Sequence, residues 1–254
     1  MNRLVRSELR KLTTTQVWFW LLLGALALTA LSVVGQILTD GSAGNLTPRL
    51  SSPEGQRNLF GQGNTAALFV AILGIIAVTG EYRHFTVTPT YLATPRRSRV
   101  VTAKLITYVL VGLLYAVLCT LLVIAMATPW LAAKHITVSL TANRIPLVLL
   151  AAVLMVAIYA ILGVGVGALI RNQVAAVVIM LAYVSLAEPL LGVIPYVRDH
   201  VFKFLPGGAA NALTQATQPR VHLLEPWQGG LLLLGYGIGF AVLGAVFTIR
   251  RDVT

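Results

Sequence analysis

Cysteine occurs once, at Cys119 inside an apolar run, so no intrachain disulfide can form and cysteine usage is silent on redox compartment. Charge is scarce as well. Asp, Glu, Lys and Arg make up 11% of the 254 residues, less than half of the roughly 25% usual in a soluble domain. No G-x-x-x-x-G-K-[ST] occurs and no glycine is followed by lysine, so the chain cannot cradle ATP phosphates by a P-loop. G-x-S-x-G and H-E-x-x-H are absent too, which removes motif support for a serine hydrolase elbow or a zinc protease. His84, His135, His200 and His222 form no close ligand pair at a metal-site spacing, so polar loop histidines are the plainer reading. No catalytic, metal or cofactor-binding residues are assigned.

What the chain has is apolar sequence, 57% hydrophobic by residue. It falls into six runs long enough to cross a bilayer, which takes about 20 apolar residues as a helix. The runs cover about 17–38, 62–80, 105–127, 147–170, 174–194 and 229–249. The second is short and is expected to begin a turn early, near Phe60 to Asn64. The first has a basic flank like a signal peptide, but its 22 residues exceed an h-region of about 7–15. The fourth and fifth are separated only by Arg171, Asn172 and Gln173, a tight helical hairpin. The expected architecture is an all-α integral membrane protein with six transmembrane helices in one domain, 1–254.

The net charge of +11 raises nucleic acid as a partner. The cations flank apolar runs instead, and no basic stripe with interleaved aromatics of the nucleic-acid-binding kind is present. With the N-terminus inside, the larger share of Lys and Arg lies in the inner segments, and five of the eight acidic residues lie outside. The positive-inside rule therefore predicts cytoplasmic termini.

Between the runs lie distinct pieces. At the N-terminus Val5, Leu9 and Leu12 share one helical face, and Arg3, Arg6 and Arg10 another. This fits an amphipathic helix on the inner membrane surface, the alternative being an unstructured basic tail. The loop Thr39 to Gly63, rich in Gly, Ser, Pro and Asn, reads as irregular. The loop Pro195 to Gln228 is apolar on both sides of Pro206-Gly207-Gly208 and predicts two short helices at the outer membrane edge. Glu188 stands near the outer end of the fifth run, and is expected to be wet or paired with Arg198. Gly163 with Gly167, and Gly235 with Gly239, mark close helix approaches.

The inner connector from Gly80 to Leu105 is the most polar stretch between two runs. Thr88-Pro89 makes a helix start and Thr94-Pro95 repeats the device. A short helix over Pro89 to Ala93 is expected, then a new one beginning with Arg96, Arg97 and Arg99 and running into the third span. The bracket either docks on a partner or rests on lipid. Glu81, at its start, needs a cation, with Arg83 or the arginines after Pro95 as the expected source.

"EYRHFTVTPTYLATPRRSRVVTAKL" resembles the first cytoplasmic loop of type-two ABC exporter permeases, the membrane subunits of bacterial drug, antibiotic and polysaccharide exporters. The match rests on Glu81, Tyr82, Arg83, Thr86, Leu92, Ala93, Thr94, Pro95, Arg99 and Lys104. It departs at Phe85, where that family commonly has glycine, and at Pro89. "RSELRKLTTTQVWFW" is similar to the family's interfacial helix, and the span count extends the resemblance over the whole chain. It implies a non-catalytic permease subunit in the bacterial inner membrane. The partners would be a second permease copy, identical or related, two ATPase subunits that bind the ATP and Mg, membrane lipids, and an amphipathic substrate. The resemblance also implies a coupling helix in contact with the ATPase, formed by Glu81, Tyr82, Arg83, Thr86, Thr88, Pro89, Tyr91, Leu92, Pro95, Arg96, Arg97 and Arg99. Tyr108, Tyr115, Met155, Tyr159 and Tyr183 either line a path for amphipathic molecules or serve as packing and interfacial anchors. A secondary transporter or channel is the alternative, opposed by the few ionisable residues in the runs and the lack of two similar halves. A membrane enzyme or sensor is opposed by the absence of any catalytic constellation.

Overall fold

The computed structural model describes residues 1–42, 47–86, 97–136, 143–215 and 223–251, with side chains except at 97 and 245–251. The described residues are helical throughout their regular structure. In chain order the helices are α1 (Asn2–Thr14), α2 (Val17–Leu38), α3 (Pro53–Phe60), α4 (Ala66–Arg83), α5 (Arg97–Ala133), α6 (Ile145–Ile170), α7 (Gln173–Ala182), α8 (Glu188–Val193), α9 (Pro206–Leu213) and α10 (Pro226–Arg251). Six helical segments among the described residues are long and apolar enough to cross a membrane: Val17–Leu38, Pro53–Arg83, Ser98–Ala133, Ile145–Ile170, Gln173–Val193 and Pro226–Gly244. They fit a multi-pass membrane protein.

Two boundaries differ from the sequence expectation. The second span is longer than 62–80, because the loop read as irregular contains α3. Ser52 caps it, its Oγ accepting from the Gly55 amide at 3.1 Å, and Pro53 takes the first turn, where its missing N–H costs nothing. A 3₁₀ turn over Gly61–Thr65 joins α3 to α4. The third span runs on past 127 through Pro129 to Ala133, while its helix begins at Arg97, among the arginines where a new helix was expected.

Successive spans alternate in direction. At one end Lys134 Nζ, just after α5, donates to the Ile37 carbonyl near the end of α2 at 3.0 Å. At the other, the Arg171 guanidinium lies 5.1 Å over the Tyr82 ring, joining the end of α4 to the α6–α7 turn. That second end carries the connector and is called the connector end below. The tight hairpin is as short as expected: Arg171 adopts a left-handed conformation (φ 56°), and Asn172 caps α7 from the Ala175 amide at 3.0 Å.

Helix α6 is the central post. A Cβ on Gly163 would lie 2.1 Å from the Ala71 carbonyl oxygen, so α4 and α6 touch backbone to backbone there. On its other flank a Cβ on Gly165 would lie 2.6 Å from the Ala241 amide of α10. The glycine pair expected to pack the last span, Gly235 and Gly239, has nothing within 4 Å; Gly237 and Gly244 make the approach to α6 instead. Burying apolar side chains from α4, α5, α6 and α10 builds one core, and a second core at the far end gathers Val33, Ile37, Leu59, Phe60 and Leu131.

The fifth span is not a uniform helix. A π turn over Tyr183–Ala187 separates α7 from α8. Beyond it come a second π turn, Val197–Val201, a 3₁₀ turn, Phe202–Phe204, and α9. The break expected at Pro206-Gly207-Gly208 falls one residue earlier, at the extended Leu205; Pro206 opens α9 and both glycines are helical.

Candidate coupling site

At the connector end four side chains from three helices close a ring of alternating charge. Lys11 Nζ on α1 donates to Glu8 Oε1 and to Glu81 Oε1, each at 2.7 Å. Lys104 Nζ on α5 donates to Glu8 Oε2 at 2.6 Å, to Glu81 Oε1 at 2.8 Å and to the Ala77 carbonyl at 3.3 Å. The Lys104 ammonium thus uses all three of its protons. The ring carries no net charge, which is how ionised groups remain buried without leaving one unpaired. Glu8 is 4% exposed and Lys104 5%.

Local structure sets the ring up. Glu8 and Lys11 are three apart on α1 and therefore share a face with the buried Leu12, while Arg3, Arg6 and Arg10 stay exposed. Burial pushes the Glu8 carboxyl up, but Lys104 and then Lys11 outweigh it and hold it below the usual carboxylate range. Burial pulls the Lys11 ammonium down, but its hydrogen bonds to Glu8 and Glu81 raise it above its ordinary value.

Among the described residues the cations that reach Glu81 are Lys11 and Lys104, which corrects the expected pairing with Arg83 or Arg99; the side chains of Arg96 and Arg97 lie outside the described residues. Arg83 and Arg99 are exposed. A basic side chain two residues away in sequence was outcompeted by ones seated by packing. Lys104 belonged to the matched residues without a role; Glu8 and Lys11 were missed, their only signal being opposite charges three apart on the apolar side of an amphipathic helix.

The last turn of α4 shapes the start of the connector. The Phe85 amide donates to the Tyr82 carbonyl at 3.3 Å and the Thr86 amide to the Glu81 carbonyl at 3.0 Å. This is a Schellman closure, whose middle residue must be left-handed. Phe85 fills it at φ 54° with 86% of its surface exposed. A bulky residue there costs about 1–2 kcal/mol relative to glycine. Of the coupling residues expected from sequence, Glu81, Tyr82, Arg83 and Thr86 come together at this terminus, beside the ring and a groove of about 490 Å³. Arg99 lies on the first turn of α5 and the backbone of Arg97 begins it. Thr88, Pro89, Tyr91, Leu92, Pro95 and Arg96, with the short helix expected over Pro89 to Ala93, lie outside the described residues.

The five residues expected on a substrate path separate. Tyr108 is buried beside the ring groove. Tyr115 is fully buried, its hydroxyl donating to the Trp18 carbonyl. Tyr159 and Tyr183 share one cavity wall, and Met155 joins Tyr159 in a neighbouring one. Glu188 is not paired with Arg198. It is 5% exposed and accepts from the amides of Gly207 at 2.6 Å and Gly208 at 3.2 Å, while Arg198 binds Asp199 at 2.9 Å. The carboxylate sits at the N-terminus of α9, whose first amides lack intrahelical partners of their own.

No family model, no curated protein and no solved structure matches this chain.

Proposed function

We propose that this chain is the permease subunit of an ATP-binding-cassette exporter, working as a pair of permeases with two separately encoded ATPase subunits. The connector beginning at His84 is the coupling element, and the termini and connector face the cytoplasm. The observation that supports this most is the ring of Glu8, Lys11, Glu81 and Lys104. It ties α1 to the chain just before the connector and just after it. A push on the connector is then delivered to α4, α5 and α1 as one unit, and from α4 through the backbone contact at Gly163 to α6. Coupling of this kind requires the nucleotide-closed ATPase pair to favour one arrangement of that unit over another. The exposed Phe85 and the groove beside the ring offer a partner apolar surface at the same end. The sequence has no P-loop of its own, so the ATP and Mg are assigned to the partner.

The test is copurification of the ATPase encoded beside this chain, followed by Leu92→Asp. A charge buried without a partner costs several kcal/mol, about enough to break a small docking joint. The variant is expected to reach the membrane and lose the ATPase or its coupled transport. ATP hydrolysis by the purified single chain, or wild-type transport by Leu92→Asp, refutes the assignment; transport driven by an ion gradient alone would instead establish a secondary transporter.

A further inference from the structure

The far half of the fifth span holds a second buried carboxylate, with a different environment. Glu188 Oε1 takes both amide hydrogens, from Gly207 and Gly208. Among the described residues, Oε2 accepts no hydrogen bond and no Lys, Arg or His forms a salt bridge with Glu188. The fit against α9 is close: a Cβ on Gly207 would lie 2.6 Å from the carboxyl group.

This group lines one cavity, and a second cavity adjoins the first. One, of about 460 Å³, is lined by Glu188, Met155, Tyr159 and Asn211 among others. The other, of about 430 Å³, is walled by Tyr159, Tyr183, Tyr236, Phe240 and other apolar side chains. Tyr159 and Val184 belong to both. The π turn Tyr183–Ala187 runs along this boundary, and π turns inside α-helices occur frequently at functional sites. Each volume is in the range of about 300–1,000 Å³ that holds a small organic molecule.

We propose that Glu188 is the anionic anchor of a binding site for a lipophilic organic monocation, whose apolar body fills the adjoining tyrosine-walled cavity. The sign follows from the carboxylate, which has an acceptor left over after the helix amides are bound. The body follows from the apolar walls, and tyrosine faces attract a cation directly. A small inorganic cation fits poorly, since it takes several oxygen ligands and no cluster of three or more His, Cys, Asp or Glu is present among the described residues. The inference deepens the exporter reading by naming a substrate class and rests on it for its physiological sense. Its test is a binding equilibrium that needs no ATPase, so either can fail without the other.

The probes are three near-isosteric molecules: tetraphenylphosphonium, neutral tetraphenylsilane and anionic tetraphenylborate. Binding is measured by equilibrium dialysis on the full chain in dodecyl maltoside. The wild type is expected to bind the cation at least about tenfold more tightly than the neutral probe, and the anion least. Glu188→Gln keeps an oxygen for the Gly207 and Gly208 amides, and is expected to erase the preference for charge without removing neutral binding. Met155→Trp fills the cavity beside the carboxylate and is expected to weaken the cation by a similar factor. Equal binding of cation and neutral probe by the wild type, or an unchanged preference in Glu188→Gln, overturns the proposal. Should Glu188→Gln fail to fold, the charge series on the wild type together with Met155→Trp decides it alone. Added phosphatidylethanolamine separates the two sources of such a cation: competition identifies a lipid ammonium as the occupant, and no competition a free solute.

Discussion

Glu8 and Glu188 are the same side chain, buried to nearly the same degree at 4% and 5% exposure, and the two ends of the bundle treat them in opposite ways. At the connector end Glu8 shares its two oxygens between two lysines on different helices. At the other, Glu188 rests on two backbone amides, and among the described residues no salt bridge reaches it. The first arrangement spends its charges on each other and holds three helices together. The second leaves a carboxylate oxygen for something else. Burial alone does not assign a role to an acidic residue in such a chain; what answers the charge does.

The largest effect expected from this contrast is at Lys104. Lys104→Met leaves the buried Glu8 and the half-buried Glu81 with only Lys11 between them, and removing one member of a buried pair costs about 3–5 kcal/mol. Unfolding by dodecyl sulfate in mixed micelles should show that loss, and the double variant Glu8→Gln, Lys104→Met should recover most of it. Recovery of nothing would mean that the ring is not one energetic unit. Glu188→Leu comes next. It strips an acceptor from two amides without creating a lone charge, for which about 1–3 kcal/mol is expected. Amide exchange should rise at Gly207 and Gly208 and stay unchanged around Ala77 and Lys104. A loss as large as that of Lys104→Met would erase the distinction between the two carboxylates.

The smallest effect is in pH. The Glu8 carboxyl is lowered in the folded chain. Its contribution is therefore fully present above its unfolded value of about 4.3, and is lost as pH falls through the lower folded value. The Lys11 ammonium is raised, so its contribution is complete below about 10.4 and is lost as pH rises through the higher folded value. The Lys11 side chain is 45% exposed, which limits the alkaline loss to about 1 kcal/mol or less. Stability measured from acid to alkaline pH should lose its acid arm in Glu8→Gln and its alkaline arm in Lys11→Met, each variant already lacking at neutral pH the contribution that titration removes.

The spans were legible because an apolar run long enough to cross a bilayer leaves few other structures open to it. Their ends were less so. Ser52-Pro53-Glu54 is a helix start in plain residues, yet the Gly, Ser, Pro and Asn around it outweighed it. The start of α5 at Arg97 agrees with the helix that Thr94-Pro95 announced at the arginines, while its run through Pro129 to Ala133 was not foreseen. The ring was half legible: the connector drew attention to Glu81, and Lys104 stood among the matched residues. Its partners lie 70 and 96 positions away in sequence, and nothing local selects Lys11 over Arg83. Glu188 was misread for a different reason. Its partners are backbone amides, which every residue except proline possesses, so no side-chain pattern could point to Gly207 and Gly208.

The ring also has a consequence for the order in which the molecule is made. Glu8 and Lys11 leave the ribosome with the first helix, but Glu81 and Lys104 are synthesised long afterwards, one at the end of the second span and the other near the start of the third. Helix α1 therefore cannot take its final seat until α5 has begun to enter the membrane. The part synthesised first is locked last. A nascent chain whose third span stalls holds Glu8, Lys11 and Glu81 without Lys104, two carboxylates to one ammonium.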